Sequence, residues 1–72
     1  MNNIASERKK LGITQAALAE ACGWRQSRLG NYEAGSRAPD LDSCRHLVKV
    51  MKKLGSRINL DGLFPPRNKQ AA

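Results

Sequence analysis

The chain has 72 residues, 40% hydrophobic and 26% charged, with one Trp, one Tyr and one Phe and a formal net charge of +7. That length suits one domain around a single small core, and the composition excludes a disordered tail or an aromatic-rich sandwich. No apolar run nears the ~18 residues that cross a bilayer and no signal-peptide pattern opens the chain, so a cytoplasmic protein with no membrane partner is expected.

The first predicted helix runs from about Asn3 to Leu11, with Ile4, Arg8 and Leu11 on one side, and Gly12 ends it. The sequence begins almost at this helix, so an N-terminal arm wrapping a duplex is expected to be two or three residues long at most. The second helix takes Thr14 as its N-cap, where the hydroxyl accepts from a first-turn N–H, and extends to about Cys22. Ala17, Leu18, Ala21 and Cys22 fall at the spacing of one apolar helical face, and Gly23 supplies the left-handed residue that ends a helix.

The third helix runs from about Arg25 to Glu33, keeping Leu29 and Tyr32 on one face and Arg25, Gln26, Ser27, Arg28 and Asn31 on the other. Arg25 stands where a capping Ser or Thr is expected, and a mid-helix glycine such as Gly30 costs about 1 kcal/mol relative to alanine. Gly30 is either simply tolerated or lets this helix approach a backbone closely. Ala34 to Pro39 form a loop. Asp40 then caps a fourth helix whose apolar stripe is Leu41, Cys44, Leu47, Val48, Met51 and Leu54, with Arg45, Lys49, Lys52 and Lys53 on the wet face and Gly55 as the stop. Asn59 caps a short fifth helix carrying Leu60, Leu63 and Phe64, which Pro65-Pro66 ends. The expectation is a compact five-helix all-α domain over residues 1–66, followed by a flexible basic C-terminal tail at 67–72.

Cys22 and Cys44 stand 22 positions apart with only His46 near either, so neither a metal site nor a cofactor is expected, and both cysteines are read as core residues. The chain offers no paired acid and base, no nucleophile with a partner and no phosphate loop, so no enzyme and no small-molecule substrate are expected. Thirteen Lys and Arg against six Asp and Glu favour a polyanionic partner through counterion release. The outer face of the third helix narrows that class. Gln and Asn can pair with adenine edges, Arg with guanine, and Ser with either, so a face carrying Arg25, Gln26, Ser27 and Asn31 can read base edges in DNA. Arg28 lies further round the helix, where a phosphate or solvent role is expected. Trp24 is read as a core or rim residue rather than a base-stacking one.

Thr14, Gln15, Leu18, Ala19, Gly23, Leu29, Tyr32, Glu33, Gly35, Pro39 and Leu41 stand together in one register that resembles the helix-turn-helix domain of phage Cro and repressor proteins and of the wider XRE-type regulators. The resemblance covers residues 4–64. It implies that Gln15 holds a DNA phosphate at the positive end of the second helix, that Gly35, Ser36 and Arg37 touch the backbone, and that Arg8 and Glu33 form a partly buried ion pair. It also implies a sequence-specific repressor, most similar to a lambdoid-type Cro protein in a bacterial host, binding a near-palindromic operator as a homodimer. Apolar surface at Leu60, Leu63 and Phe64 is expected to pair the protomers.

The chain departs from the family pattern in three places. The stretch from Pro39 to Gly55 is about one turn longer than usual and Gly55-Ser56-Arg57 adds to it, so the family's dimer geometry does not carry over. Trp24 replaces a smaller aliphatic residue, and Glu7 stands where an apolar one is common. An antitoxin, a restriction-modification controller or a chromosomal regulator of the same fold is the nearest alternative. An RNA-binding module is more distant, because Trp24, Tyr32 and Phe64 are not grouped into a stacking platform.

Overall fold

A computed structural model describes residues 2–65, so the tail expected at 67–72 lies outside the described residues. Five helices follow one another, α1 (Ile4–Lys10), α2 (Gln15–Cys22), α3 (Gln26–Ala34), α4 (Leu41–Lys53) and α5 (Leu60–Leu63), and the described residues contain no strand. Local chemistry sets most of their ends. The Thr14 hydroxyl accepts from the Ala17 N–H at 3.0 Å, the Asp40 carboxylate from Ser43 at 2.8 Å and the Asn59 side chain from Gly62 at 2.7 Å. Gly23, at a φ of 76°, ends α2 in the left-handed conformation that a side chain disfavours, and this turns the chain sharply into α3.

Every helix sends at least one wholly buried side chain to a common core: Ile4 from α1, Leu18 from α2, Leu29 from α3, Leu47 and Met51 from α4, and Leu63 from α5. Each such burial stabilises by about 1.5 to 3 kcal/mol, so no helix here is held by propensity alone. The N-terminus adds polar ties, with the Asn3 N–H donating to the Leu63 carbonyl at 2.8 Å and the Asn2 amide to the Tyr32 carbonyl at 2.8 Å. These hold the start of α1 against both α5 and the end of α3.

Packing differs from the periodicity in several particulars. The inner face of α2 is Leu18, Ala19 and Cys22, while Ala17 and Ala21 are exposed. Alanines on both flanks of Leu18 give that face no edge in sequence, and contact with α3 and α4 sets its rotation. On α4 the buried arc takes in Ser43 and Val50, whereas Leu41 and Leu54 remain 54% and 41% exposed. Both leucines sit at the helix ends, past the rim of the core. Cys22 is buried as expected, but Cys44 is only half-buried, its thiol turned towards the Pro39 carbonyl at 3.7 Å.

Ser56 and Glu7, expected from the sequence to be unusual, meet in the structure. The Ser56 hydroxyl donates to the Glu7 carboxylate at 3.2 Å and accepts from the Ile58 N–H at 3.1 Å, while Lys10 pairs with the other Glu7 oxygen at 3.1 Å. The segment after α4 is thus fastened to α1 through Glu7.

Candidate nucleic-acid interface

The Arg8–Glu33 pair anchors the interface. Arg8 spans both Glu33 oxygens, at 2.8 and 3.2 Å, and donates its remaining terminal nitrogen to the Ile13 carbonyl at 3.0 Å. Only 13% and 7% of the two side chains remain exposed, so the charges are largely removed from water and satisfied by each other. Glu33 also accepts from the Gln15 side-chain amide at 3.1 Å, and the Gln15 carbonyl oxygen in turn accepts from the Gln26 amide at 3.3 Å. One run of hydrogen bonds therefore leads from the buried ion pair to an exposed side chain in the first turn of α3.

Gly30 makes that run sterically feasible. A β-carbon built there meets Gln15 Oε1 at 3.3 Å and its amide carbon and nitrogen at 3.6 Å. The close approach is to a side chain of α2, not to a backbone.

Gln26, Ser27 and Asn31 are exposed on α3, and Arg25 precedes it as an N-cap residue without a side-chain capping bond. Gly35 ends α3, and the Ser36 and Arg37 N–H groups both donate to the Asn31 carbonyl, at 3.0 and 3.2 Å. The Ser36 hydroxyl lies 3.4 Å from the Asn31 side-chain oxygen, which ties the loop to the outer face of α3. Arg25, Arg28 and Arg37 border an open groove of about 610 Å³ beside α3, together with Ser27 and Asn31. Arg25 and Arg37 make no ion pair among the described residues. The groove lining carries three arginines and no carboxylate.

Arg28 is exposed, yet its guanidinium is engaged by neighbouring side chains. Its Nε donates to the Tyr32 hydroxyl at 3.1 Å, a terminal nitrogen donates to the Ser43 hydroxyl at 3.0 Å, and its guanidinium carbon lies 4.4 Å from the centre of a Trp24 ring. Trp24 meets Tyr32 edge-on at 5.5 Å, a rim position as expected. His46 donates from Nε2 to the Cys22 carbonyl at 2.9 Å, closing the C-terminal end of α2, and its ring lies 5.6 Å from Trp24. Sequence patterns missed these roles of Ser43 and His46, because both depend on where α4 crosses α2 and α3.

Leu63 is wholly buried and belongs to the core rather than to an exposed pairing surface, and Leu60 and Phe64 are half-buried against it. Burial pushes the Cys22 thiol up to about 11, with nearby Arg28 opposing, and burial also raises Cys44. Among the described residues no group of three or more His, Cys, Asp or Glu side chains could hold a metal, and no helix is long and apolar enough to cross a membrane.

A two-helix unit joined at a left-handed glycine, with a polar, cation-flanked second helix, is the geometry of a DNA reader, and the helix-turn-helix family profile matches residues 4–57. The chain belongs to the helix-turn-helix family. It is a DNA-binding transcriptional regulator of the XRE type. None of the curated proteins and none of the solved structures compared with it matches. Within this helix-turn-helix protein α2 and α3 are the two helices joined at Gly23.

Proposed function

We propose that this regulator reads a near-palindromic operator in duplex DNA as a homodimer and represses transcription in the manner of a phage Cro protein. The observation that carries the reading is the run from Arg8 and Glu33 through Gln15 to Gln26, which spends a buried ion pair on orienting one exposed amide. A side chain held in this way loses less freedom on meeting a base edge than a solvated one does. Gln26, Ser27 and Asn31 are the base-contacting residues in this reading, with Arg25 reaching either a guanine edge or the strand beside it. Gln15, Gly35, Ser36 and Arg37 take the phosphates, and the guanidinium of Arg37, which makes no ion pair among the described residues, supports its part.

The homodimer rests on the small footprint of one unit. A single α3 covers few base pairs, and helix-turn-helix dimers reach two half-sites about 34 Å apart. With Leu63 in the core, the exposed parts of Leu60 and Phe64 are the apolar surface left at α5 for a second copy.

Sites selected by the protein from a random duplex pool, then titrated against a scrambled duplex at several salt concentrations, test the reading. We expect paired half-sites of inverted sequence and a clear preference over the scrambled duplex. No preference over random duplex would overturn sequence-specific readout, and a single unpaired half-site would overturn the dimer. In the same assay Gln26→Ala is expected to relax preference at one base position by about 1 to 3 kcal/mol, whereas Arg37→Ala weakens all duplexes alike.

A further inference from the structure

The first turn of α3 is the least secured start of any helix longer than a single turn that begins beyond α1. Thr14 and Asp40 cap α2 and α4 through their side chains, but Arg25 makes no such bond. Besides the Gln26 bond to Gln15, the side chain that ties this turn to α4 is Arg28. The Arg28 guanidinium carbon lies over a Trp24 ring at 4.4 Å from its centre, and its nitrogens donate to Tyr32 on its own helix and to Ser43 on α4. Ser43 is itself buried and fixed, since its N–H is taken by Asp40. Trp24 is bounded on its other sides by the Tyr32 and His46 rings.

We infer that Arg28 is a positioning residue for base readout, clamping the start of α3 to α4 through Trp24, Tyr32 and Ser43 so that Gln26 and Ser27 project in one direction. This rests on the base-reading role proposed for Gln26 and Ser27. The chemistry calls for arginine. Only a planar fork stacks on one ring while its edge donates along two directions, and a lysine ammonium at the same place offers a compact charge without that shape. A phosphate contact at Arg28 would act only in the complex, and lysine there would leave amide exchange and Trp24 emission of the free protein unmoved.

The test compares wild type with Arg28→Lys, Arg28→Ala and the milder Ser43→Ala, each at a temperature where it keeps native helicity. Hydrogen exchange at the Arg28 and Leu29 amides and Trp24 fluorescence are measured without DNA. Binding is measured with the duplex that wild type selects and with a scrambled one, over a range of salt. We expect both Arg28 variants to speed exchange in the first turn of α3, to shift Trp24 emission and to lose at least tenfold of the selected-over-scrambled preference. Arg28→Lys should show an unchanged salt slope, and Ser43→Ala should lie between it and wild type. The inference is overturned if Arg28→Lys matches wild type, or if Arg28→Ala weakens both duplexes equally with a salt slope shallower by about 0.9, the mark of one lost phosphate contact. Either result leaves the wild-type preference standing. A wild type with no preference overturns base reading itself, together with the inference that depends on it.

Discussion

Gly30 illustrates how a residue that weakens a helix locally serves a contact made by another one. Alanine there gains up to about 1 kcal/mol of helix propensity, while its β-carbon presses on Gln15 Oε1 at 3.3 Å. The Gln15 amide is the flexible end of a side chain, so it yields more easily than the helix axis. Gly30→Ala is therefore expected to leave thermal stability unchanged or slightly raised, while loosening the Gln15–Gln26 bond and lowering operator preference severalfold. Denaturation and duplex titration of the same sample separate the two effects. At Cys22 the sign of the pH dependence follows from burial. The folded state keeps the thiol protonated up to about pH 11, against 9.0 for the ordinary group, so its contribution is whole below pH 9.0 and is lost as the pH rises towards 11. The melting temperature of the wild type should fall more steeply than that of Cys22→Ala across this window. At pH 8 a thiol-alkylating reagent should modify half-buried Cys44 before Cys22, as read by mass spectrometry.

Among the elements, those whose ends are set by a residue at the end itself are the ones legible in sequence. Thr14, Gly23, Asp40 and Asn59 act within three or four residues of themselves, so a local reading finds them. The rotation of α2, the place of Val50 in the core and the loss of Leu63 to it were not legible, because each depends on a neighbour far along the chain. The outer face of α3 was readable as a set of residue types, yet the separate fate of Arg28 was not, since Ser43 lies 15 positions away. The uncapped start of α3 is an exception among the local signals: both sequence and structure show it, and it is open to repair. The Arg25 backbone already has the extended conformation of a capping residue, at φ −71° and ψ 149°. Arg25→Ser is expected to stabilise the protein by up to about 1 kcal/mol by accepting from the Arg28 N–H, and to weaken binding to every duplex with a salt slope shallower by about 0.9. A calorimetric melt and a salt titration check the two halves.

At the scale of the whole molecule, fold and readout share one buried ion pair. Arg8 and Glu33 join α1 to α3, and Glu33 holds Gln15 of α2, so three helices meet at a group that is also the root of the run to Gln26. Removing one partner leaves a largely buried charge without compensation, which costs about 3 to 5 kcal/mol, a large share of the stability of so small a domain. Arg8→Ala should therefore be substantially unfolded at moderate temperature in a circular dichroism melt. The double variant Arg8→Met with Glu33→Leu removes both charges and fills the space with apolar side chains, an exchange that is often neutral or stabilising. It is expected to recover much of the lost stability. It cannot recover the acceptor for Gln15, so Gln26 regains its solvated freedom and operator preference should remain low in a protein that melts cooperatively. Restored preference in the double variant would mean that the ion pair holds the helices together without directing the reading edge.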